Sequence, residues 1–347
     1  MVRHDFLRSA VLAAALAVFA VAGCSRTVKE SPQGERVRTP LRVYTYDSFP
    51  GELQKALTEH LKNTHDTDLE LVRFEDTGGL FNALYLERGK GKVDAFIGLD
   101  NSYLARLYAQ DLLLPYKPRD LKLAMDKLAV DPLYRVSPYD YGGVALNYDR
   151  LKLPDPPKTW EDLFDPRYRG KIVLLNPATS GPGRSFLLFT VAVFGEEGYL
   201  DFWRKIKPNL LTVAAGWTEG YGLFTQGEAP MVLSYDTSPA YHREFEKSDR
   251  YDNLLFGGRA YLQVEVAGIL KDAPNPEMAR RLLDYIVSPG FQSLIPLTQF
   301  MYPVHPDAAL PESFTAVTRA EDYLSLDEEM VSRRLEGWLA DWEKVMR

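Results

Sequence analysis

After position 40, short apolar runs alternate with longer stretches of helical spacing. Residues 41–46 (LRVYTY) form an apolar run typical of a buried strand. Leu53, Leu57 and Leu61 then recur four positions apart, which places them on one face of a helix. The pattern therefore predicts a strand that leads into an amphipathic helix.

The same unit of strand and helix recurs twice before residue 110. Strands are predicted at 69–74 and 93–99. A helix follows each of them, the first over 80–87 and the second capped by Asp100 or Asn101. Successive strands joined by helices form parallel sheets with right-handed crossovers. We therefore expect an α/β lobe built on a parallel sheet.

Two later strands are suited to carry the chain between lobes. Residues 139–148 contain Gly142 and Gly143, where a strand can bend, and residues 261–270 are mostly apolar. A chain of 347 residues is also too long for one ordinary core. We predict a two-lobed α/β fold of the periplasmic solute-binding type (type II-like), with mostly parallel sheets joined by crossing strands. The first lobe would comprise 41–138 and 259–347, and the second 139–258.

A long helix is predicted at the C-terminal end of the chain. Ser325 and Glu328 have the spacing of a capping box. The apolar residues that follow recur at spacings of four and three, which indicates a face that packs against the body: Val331, Leu335, Trp338, Trp342 and Val345.

The first 40 residues have the composition of an export signal followed by a tether. Residues 1–23 carry Arg3 and Arg8 before a short apolar run, and Cys24, the only cysteine of the chain, comes next. Residues 21–24 (VAGC) resemble a bacterial lipobox, in which the chain is cut before a cysteine that then carries lipid. We expect a lipoprotein signal peptide over 1–23 and a flexible tether over 24–40. The body would then lie in the periplasm or at the cell surface, anchored to a membrane through Cys24.

Composition and motifs exclude several function classes. The formal net charge is −7, which does not favour nucleic acid as a partner. The five histidines are scattered without metal-ligand spacing, so we expect no metal site. The sequence contains no phosphate-binding glycine loop, no HExxH and no GxSxG motif. These observations favour a protein that binds a small molecule.

Residues 212–241 bring together aromatic faces, hydroxyls and a carboxylate. Trp217 and Tyr221 lie four apart in a helix predicted over 217–226, and a strand at 231–235 ends at Asp236. Ligands of open α/β sheets bind at the carboxyl ends of strands, and π faces beside a negative charge suit an organic cation. An ordinary core role for the aromatic residues and a turn role for Asp236 remain open here.

A second ligand-binding position is predicted before the helix at 184–194. A strand at 171–175 ends in a turn, where Thr179 or Ser180 would cap the helix. The free backbone N–H groups of a helix start can hold an acceptor group of a ligand. Plain helix capping is the alternative.

Several long motifs resemble the thiamine-binding proteins of bacterial ABC importers, a group within the two-lobed periplasmic solute-binding proteins. The resemblance extends over about 41–314. The family pattern has a longer, tryptophan-containing loop after the first strand, where this chain passes directly from residues 49–51 (FPG) into the helix. The chain also has Phe300 where the family has tryptophan. The motifs are VYTYDSF (43–49), the turn at Asp76, GLDN (98–101), GWTEGYGLF (216–224), LSYDTSPAYH (233–242), YLQVEVA (261–267) and MYPV (301–304).

The resemblance implies a lipid-anchored receptor that captures thiamine or its phosphate esters between its lobes. It implies delivery to an ABC permease that works with an ATPase. We expect a monomer that is not an enzyme and needs no cofactor. The ligand-binding positions implied are Tyr46, Asp76, Thr77, Ser180, Gly181, Trp217, Tyr235, Asp236, Thr237, Ser238 and Tyr241.

Three alternatives are kept beside this interpretation. The same fold could bind ferric ion or a polyamine, although the chain has no adjacent tyrosine pair for ferric ion. A thiamine-degrading enzyme of this fold would use a cysteine nucleophile, and Cys24 lies outside the folded body.

Within the thiamine interpretation, a carboxylate at Asp236 that faced the ligand would attract the thiazolium and repel phosphate. We therefore expect a preference for unphosphorylated thiamine.

Overall fold

The computed structural model describes residues 39–347, and its first part forms the predicted parallel sheet. Strand β1 pairs in parallel with both β2 and β3. The three leucines of the first helix are fully buried, as their spacing predicted. The elements are β1 (Leu41–Tyr46), α1 (Gly51–His65), β2 (Leu69–Phe74), α2 (Thr77–Glu87), β3 (Ala95–Asp100), α3 (Leu104–Ala109) and β4 (Leu113–Leu114).

The middle of the chain forms a second set of strands and helices around its own apolar core. Strand β6 pairs in parallel with β7 and with β8. The elements are β5 (Val136–Asp149), β6 (Ile172–Leu175), α4 (Gly181–Ile206), β7 (Leu210–Ala214), α5 (Trp217–Thr225), β8 (Met231–Tyr235), α6 (Pro239–Phe245) and β9 (Tyr251–Leu254).

The last part of the chain returns to the first set of strands. Asn275 caps the helix at 276–286 by accepting a hydrogen bond from the Met278 N–H. The elements are β10 (Arg259–Leu270), α7 (Pro276–Ile286), α8 (Pro289–Gln292), α9 (Ile295–Thr298), β11 (Tyr302–Pro303), α10 (Glu312–Thr315), β12 (Asp322–Leu324) and α11 (Glu328–Met346).

Two long antiparallel strands connect the two lobes. The sheet order is β2-β1-β3-β10-β5-β8-β6-β7, so β10 and β5 lie between the two parallel sets. A Cβ at Gly143 would lie 2.6 Å from the Cβ of Ala260 and 2.7 Å from the ring of Tyr323. Close packing between the crossing strands therefore requires this glycine. A hinge at Gly142 and Gly143 stays a prediction.

The longest helix differs from its prediction. Helix α4 begins at Gly181 and ends at Ile206, well beyond the predicted 184–194. Gly195 interrupts it with a left-handed φ of 71°, a conformation that glycine adopts without steric cost. The apolar residues on either side of this kink both pack into the core of the second lobe.

The C-terminal helix corrects one expectation. Asp327 caps α11 by accepting from the Met330 N–H at 2.9 Å, so the predicted capping box of Ser325 does not form. The buried face of α11 packs against the second-lobe core, where Trp342 lies 5.7 Å from Trp203. On its other side, Glu336 pairs with Arg106 of α3 at 3.4 Å, so the assignment of α11 to the first lobe stays a prediction.

The predicted signal peptide, Cys24 and nearly all of the predicted tether lie outside the described residues. Within residues 39–347, no helix combines the length and the apolar character needed to span a membrane. The body itself therefore shows no helical membrane span in the described part.

Candidate functional site

A cleft of about 800 Å³ lies between the two lobes, where strand ends and helix starts meet. The first lobe contributes the end of β1 and the start of α2, and the second contributes the starts of α4, α5 and α6. Nine of the residues predicted to bind a ligand line this cleft, and their contact with a ligand remains a prediction. They are Tyr46, Asp76, Thr77, Ser180, Gly181, Trp217, Tyr235, Ser238 and Tyr241.

Stacked aromatic rings form one wall of the cleft. The rings of Trp217 and Tyr221 lie 4.8 Å apart and 13° from parallel, as their spacing on α5 predicted. The Trp217 indole N–H donates to Ser234 Oγ at 2.8 Å, and the Tyr221 hydroxyl is 3.0 Å from His242 Nε2. These hydrogen bonds fix the orientation of both rings.

Two helix starts meet at another side of the cleft and join the lobes. The Asp76 carboxylate caps α2 by accepting from the Gly79 N–H at 2.7 Å. The Gly78 N–H donates across the cleft to the Thr179 carbonyl at 3.3 Å. Asp76 therefore combines a capping role with a place in the cleft lining.

Ser180 is the N-cap of α4, as the sequence predicted, and its contact with a ligand stays a prediction. The Ser180 Oγ accepts from the Gly183 N–H at 3.2 Å, and Pro182 has no N–H. Of the first three residues of this helix, Gly181 is therefore the one whose N–H remains available to an acceptor. A Cβ at Gly181 would lie 2.2 Å from Asp100 Oδ2, so glycine lets this helix start approach the Asp100 carboxyl closely.

The floor of the cleft contains polar residues that the sequence analysis missed. The Glu265 Oε2 accepts from the hydroxyls of Tyr139 at 2.5 Å and Tyr46 at 3.0 Å. Gln263, two residues earlier on the same face of β10, donates to the Tyr235 hydroxyl at 2.8 Å. The signal available in the sequence was this pair of polar residues, two positions apart, within the otherwise apolar motif YLQVEVA.

Acidic side chains dominate the charge of the cleft. Within residues 39–347, its lining has no lysine or arginine and includes six carboxyl residues: Asp47, Glu75, Asp76, Glu219, Glu246 and Glu265. Burial raises the pKa of Glu265 to about 7. Burial also raises the pKa of Asp100 and, together with the nearby Glu265 charge, that of Asp140 well above its usual value. Such a lining favours a cationic ligand over an anionic one.

No metal site is apparent in the described part of the chain. Among residues 39–347, no group of three or more His, Cys, Asp and Glu side chains is arranged to hold a metal ion.

Asp236 and Thr237 are absent from the cleft lining, which corrects two predicted positions. The Asp236 side chain is fully buried, and its carboxylate accepts from the Gly143 N–H and the Tyr323 hydroxyl, each at 2.8 Å. Thr237 is also fully buried. Strand β8 ends at Tyr235, and the turn that follows buries the side chains of Asp236 and Thr237 while Ser238 lines the cleft again. Asp236 thus gives no basis for repelling a phosphate.

Aromatic side chains from both lobes meet across the cleft. The ring of Phe300 lies 5.0 Å from Tyr241 and 5.8 Å from Phe245, and Tyr241 and Phe300 both line the cleft. Phe300 has a φ of 55°, a left-handed conformation that is unfavourable for a side chain of this size. The fold therefore holds this ring against the opposite lobe at some cost in backbone strain.

A two-lobed sheet with crossing strands and an interlobe cleft defines the class of periplasmic solute receptors. The family described as bacterial extracellular solute-binding protein matches residues 90–320. The chain belongs to this family. Its relatives include the thiamine-binding periplasmic proteins of Brucella abortus biovar 1 and Escherichia coli K12. Each is 36% identical, over 88% of this chain and 92% and 93% of the relative, respectively.

Solved structures agree with this assignment. A periplasmic thiamin binding protein has a TM-score of 0.81 and 33% identity, over 91% of this chain and 99% of that one. A ferric binding protein from Campylobacter jejuni has a TM-score of 0.73 at 16% identity, over 88% of this chain and 99% of that one. The second likeness shows the fold alone. The resemblance noted in the sequence is thereby confirmed.

Proposed function

We propose that this protein binds thiamine in its interlobe cleft and delivers it to the permease of an ABC importer, which works with an ATPase. One observation carries the proposal: in the described part of the chain, the stacked rings of Trp217 and Tyr221 share a cleft with six carboxyl residues and no lysine or arginine. The thiazolium of thiamine is a permanent organic cation, which such a lining attracts. The names of the relatives at 36% identity support the same ligand.

The size of the cleft suits this ligand. Small-molecule pockets in proteins span about 300–1,000 Å³, and this cleft measures about 800 Å³. Capture of a scarce vitamin needs micromolar to nanomolar affinity, or about 8–12 kcal/mol. Cation–π contacts contribute about 2 kcal/mol each when desolvated. Burial of the ligand and hydrogen bonds from the cleft must supply the remainder.

Calorimetric titration of ligand-free protein tests the proposal. We expect thiamine to bind at one site per chain with submicromolar affinity, and choline, spermidine and ferric citrate to bind at least a hundredfold more weakly. Parallel titration with thiamine monophosphate and diphosphate compares the esters directly. Native mass spectrometry is expected to detect a monomer carrying one thiamine. Tight binding of spermidine or ferric citrate with no heat from thiamine would contradict the proposal.

We further propose that Cys24 carries the lipid that holds the mature protein at a membrane. This proposal rests on the order of a basic start, an apolar run and VAGC in the sequence. We expect the natural protein to incorporate an alkyne-labelled fatty acid and to stay with the membrane fraction. Cys24→Ala should remain an unlabelled, uncleaved precursor. A variant that is processed and labelled like the natural protein would overturn this proposal.

A further inference from the structure

The middle strand of the cleft floor presents two neighbouring polar side chains. Gln263 and Glu265 are 1% and 7% exposed, and both line the cleft. They stand on the same face of β10, so their Cα atoms are separated by about 7 Å. Two buried polar groups at this spacing can reach opposite ends of one aromatic ring lying on the floor.

Each of these side chains keeps an oxygen that the protein does not use. The Gln263 amide N–H₂ donates to the Tyr235 hydroxyl, while its Oε1 is buried without a partner. The hydrogen bonds to the Glu265 carboxyl all go to Oε2, from Tyr139, Tyr46 and Gln299. Within the described residues, none reaches Oε1. A buried acceptor without a donor is costly, so at Gln263 Oε1 a ligand with a matching N–H group is favoured, and Glu265 Oε1 remains available to the same ligand.

The surroundings of Glu265 keep its carboxyl close to half-protonated at neutral pH. Within the described residues, no lysine or arginine faces the Glu265 carboxyl from the elements packed around it. The groups that do face it are Tyr46 from β1, Asp100 from β3, Tyr139 and Asp140 from β5, Tyr235 from β8 and the neutral Gln299. Burial raises its pKa to about 7. The Asp140 carboxyl is fully buried, has no hydrogen-bond partner among the described residues and lies outside the cleft lining. Its burial, together with the Glu265 charge, raises its pKa well above the usual value.

We propose that Gln263 and Glu265 form the subsite for the aminopyrimidine ring of thiamine, with a single proton shared between Glu265 and the ring. This ring carries an exocyclic amine and, at its opposite end, a basic nitrogen. The amine donates to Gln263 Oε1, and the basic nitrogen and a Glu265 oxygen hold one proton between them. The inference rests on thiamine being the ligand. With the aminopyrimidine ring on the floor, the thiazolium ring lies beside Trp217.

The shared proton has a consequence for pH dependence. At pH 8 the ring nitrogen of free thiamine is unprotonated, and a carboxyl with a pKa of about 7 is mostly ionised. The complex must therefore take one proton from solvent as it forms. Well below pH 7 the carboxyl already carries most of that proton. The affinity for thiamine should fall by up to tenfold per pH unit above about 7.5.

Calorimetry in two buffers with different heats of ionisation measures this proton. At pH 8 we expect the natural protein to take up close to one proton per thiamine. In Glu265→Gln, an amide N–H replaces the shared proton, so uptake should be near zero and affinity should be flat from pH 7 to 9. Glu75→Gln removes another carboxylate of the lining. It should weaken binding somewhat while keeping the full proton uptake.

A ligand analogue gives a second arm that needs no stable variant at Glu265. Oxythiamine carries a carbonyl in place of the exocyclic amine, so the natural protein should bind it at least tenfold more weakly than thiamine. In Gln263→Leu, the affinities for thiamine and oxythiamine should lie closer together than in the natural protein. Thiamine binding without proton uptake, or with the same uptake in Glu265→Gln, overturns the inference. Failure of thiamine to bind the natural protein overturns the proposed function instead.

Discussion

Replacement of Trp217 by alanine is expected to weaken thiamine binding by about 2 kcal/mol, or roughly 30-fold. The indole face lies in the cleft lining, stacked on Tyr221 and held by its hydrogen bond to Ser234. The variant loses the π face that meets the thiazolium in the cleft, while the deep core of the second lobe is untouched. Calorimetric titration gives the change in affinity.

Trp217→Phe is the matched control for this result. It keeps an aromatic face and loses the hydrogen bond to Ser234, so we expect a loss of less than tenfold. The melting temperatures of both variants without ligand should stay within a few degrees of the natural protein. Unchanged affinity together with a sharp fall in melting temperature for Trp217→Ala would instead make Trp217 a core residue.

Replacement of Asp236 by alanine is expected to destabilise the fold without changing ligand preference. The substitution leaves the Gly143 N–H and the Tyr323 hydroxyl without their acceptor, at about 1–3 kcal/mol for each buried group. Burial raises the pKa of Asp236, so the loss of a poorly solvated carboxyl offsets part of this cost. We expect a net loss of about 2 kcal/mol in the free energy of unfolding, measured by urea denaturation.

Asp236→Asn retains an acceptor oxygen and should lose less stability than Asp236→Ala. The ratio of affinities for thiamine and thiamine monophosphate should be the same in both variants as in the natural protein, because the side chain lies outside the cleft. A variant with natural stability and an altered ratio would place Asp236 beside the ligand after all.

Local sequence patterns predicted most of the fold because they report directly on burial. The three leucines of α1 and the apolar run of β8 are buried as their periods require. The stripe on α11 likewise identified a buried face. Such a stripe does not specify its partner, however, so the packing of α11 on the second lobe was missed.

The errors in the site arise from the turn that follows β8. Residues 236–238 form this turn, and its side chains do not share one direction: Ser238 lines the cleft, whereas Asp236 points into the junction between the lobes. Gln263 and Glu265 escaped notice because their strand is otherwise apolar. That this strand forms the floor of the cleft depends on its pairing with β3 and β5, which a single sequence does not reveal.

A crystal structure of the protein with thiamine tests the central claim most directly. We expect one thiamine between the lobes, with its thiazolium within about 6 Å of the Trp217 ring. Its aminopyrimidine nitrogen should lie about 2.6–3.2 Å from a Glu265 oxygen, and its amine should face Gln263. A cleft that stays empty at saturating thiamine, or that holds a different compound which thiamine cannot displace, would contradict the account.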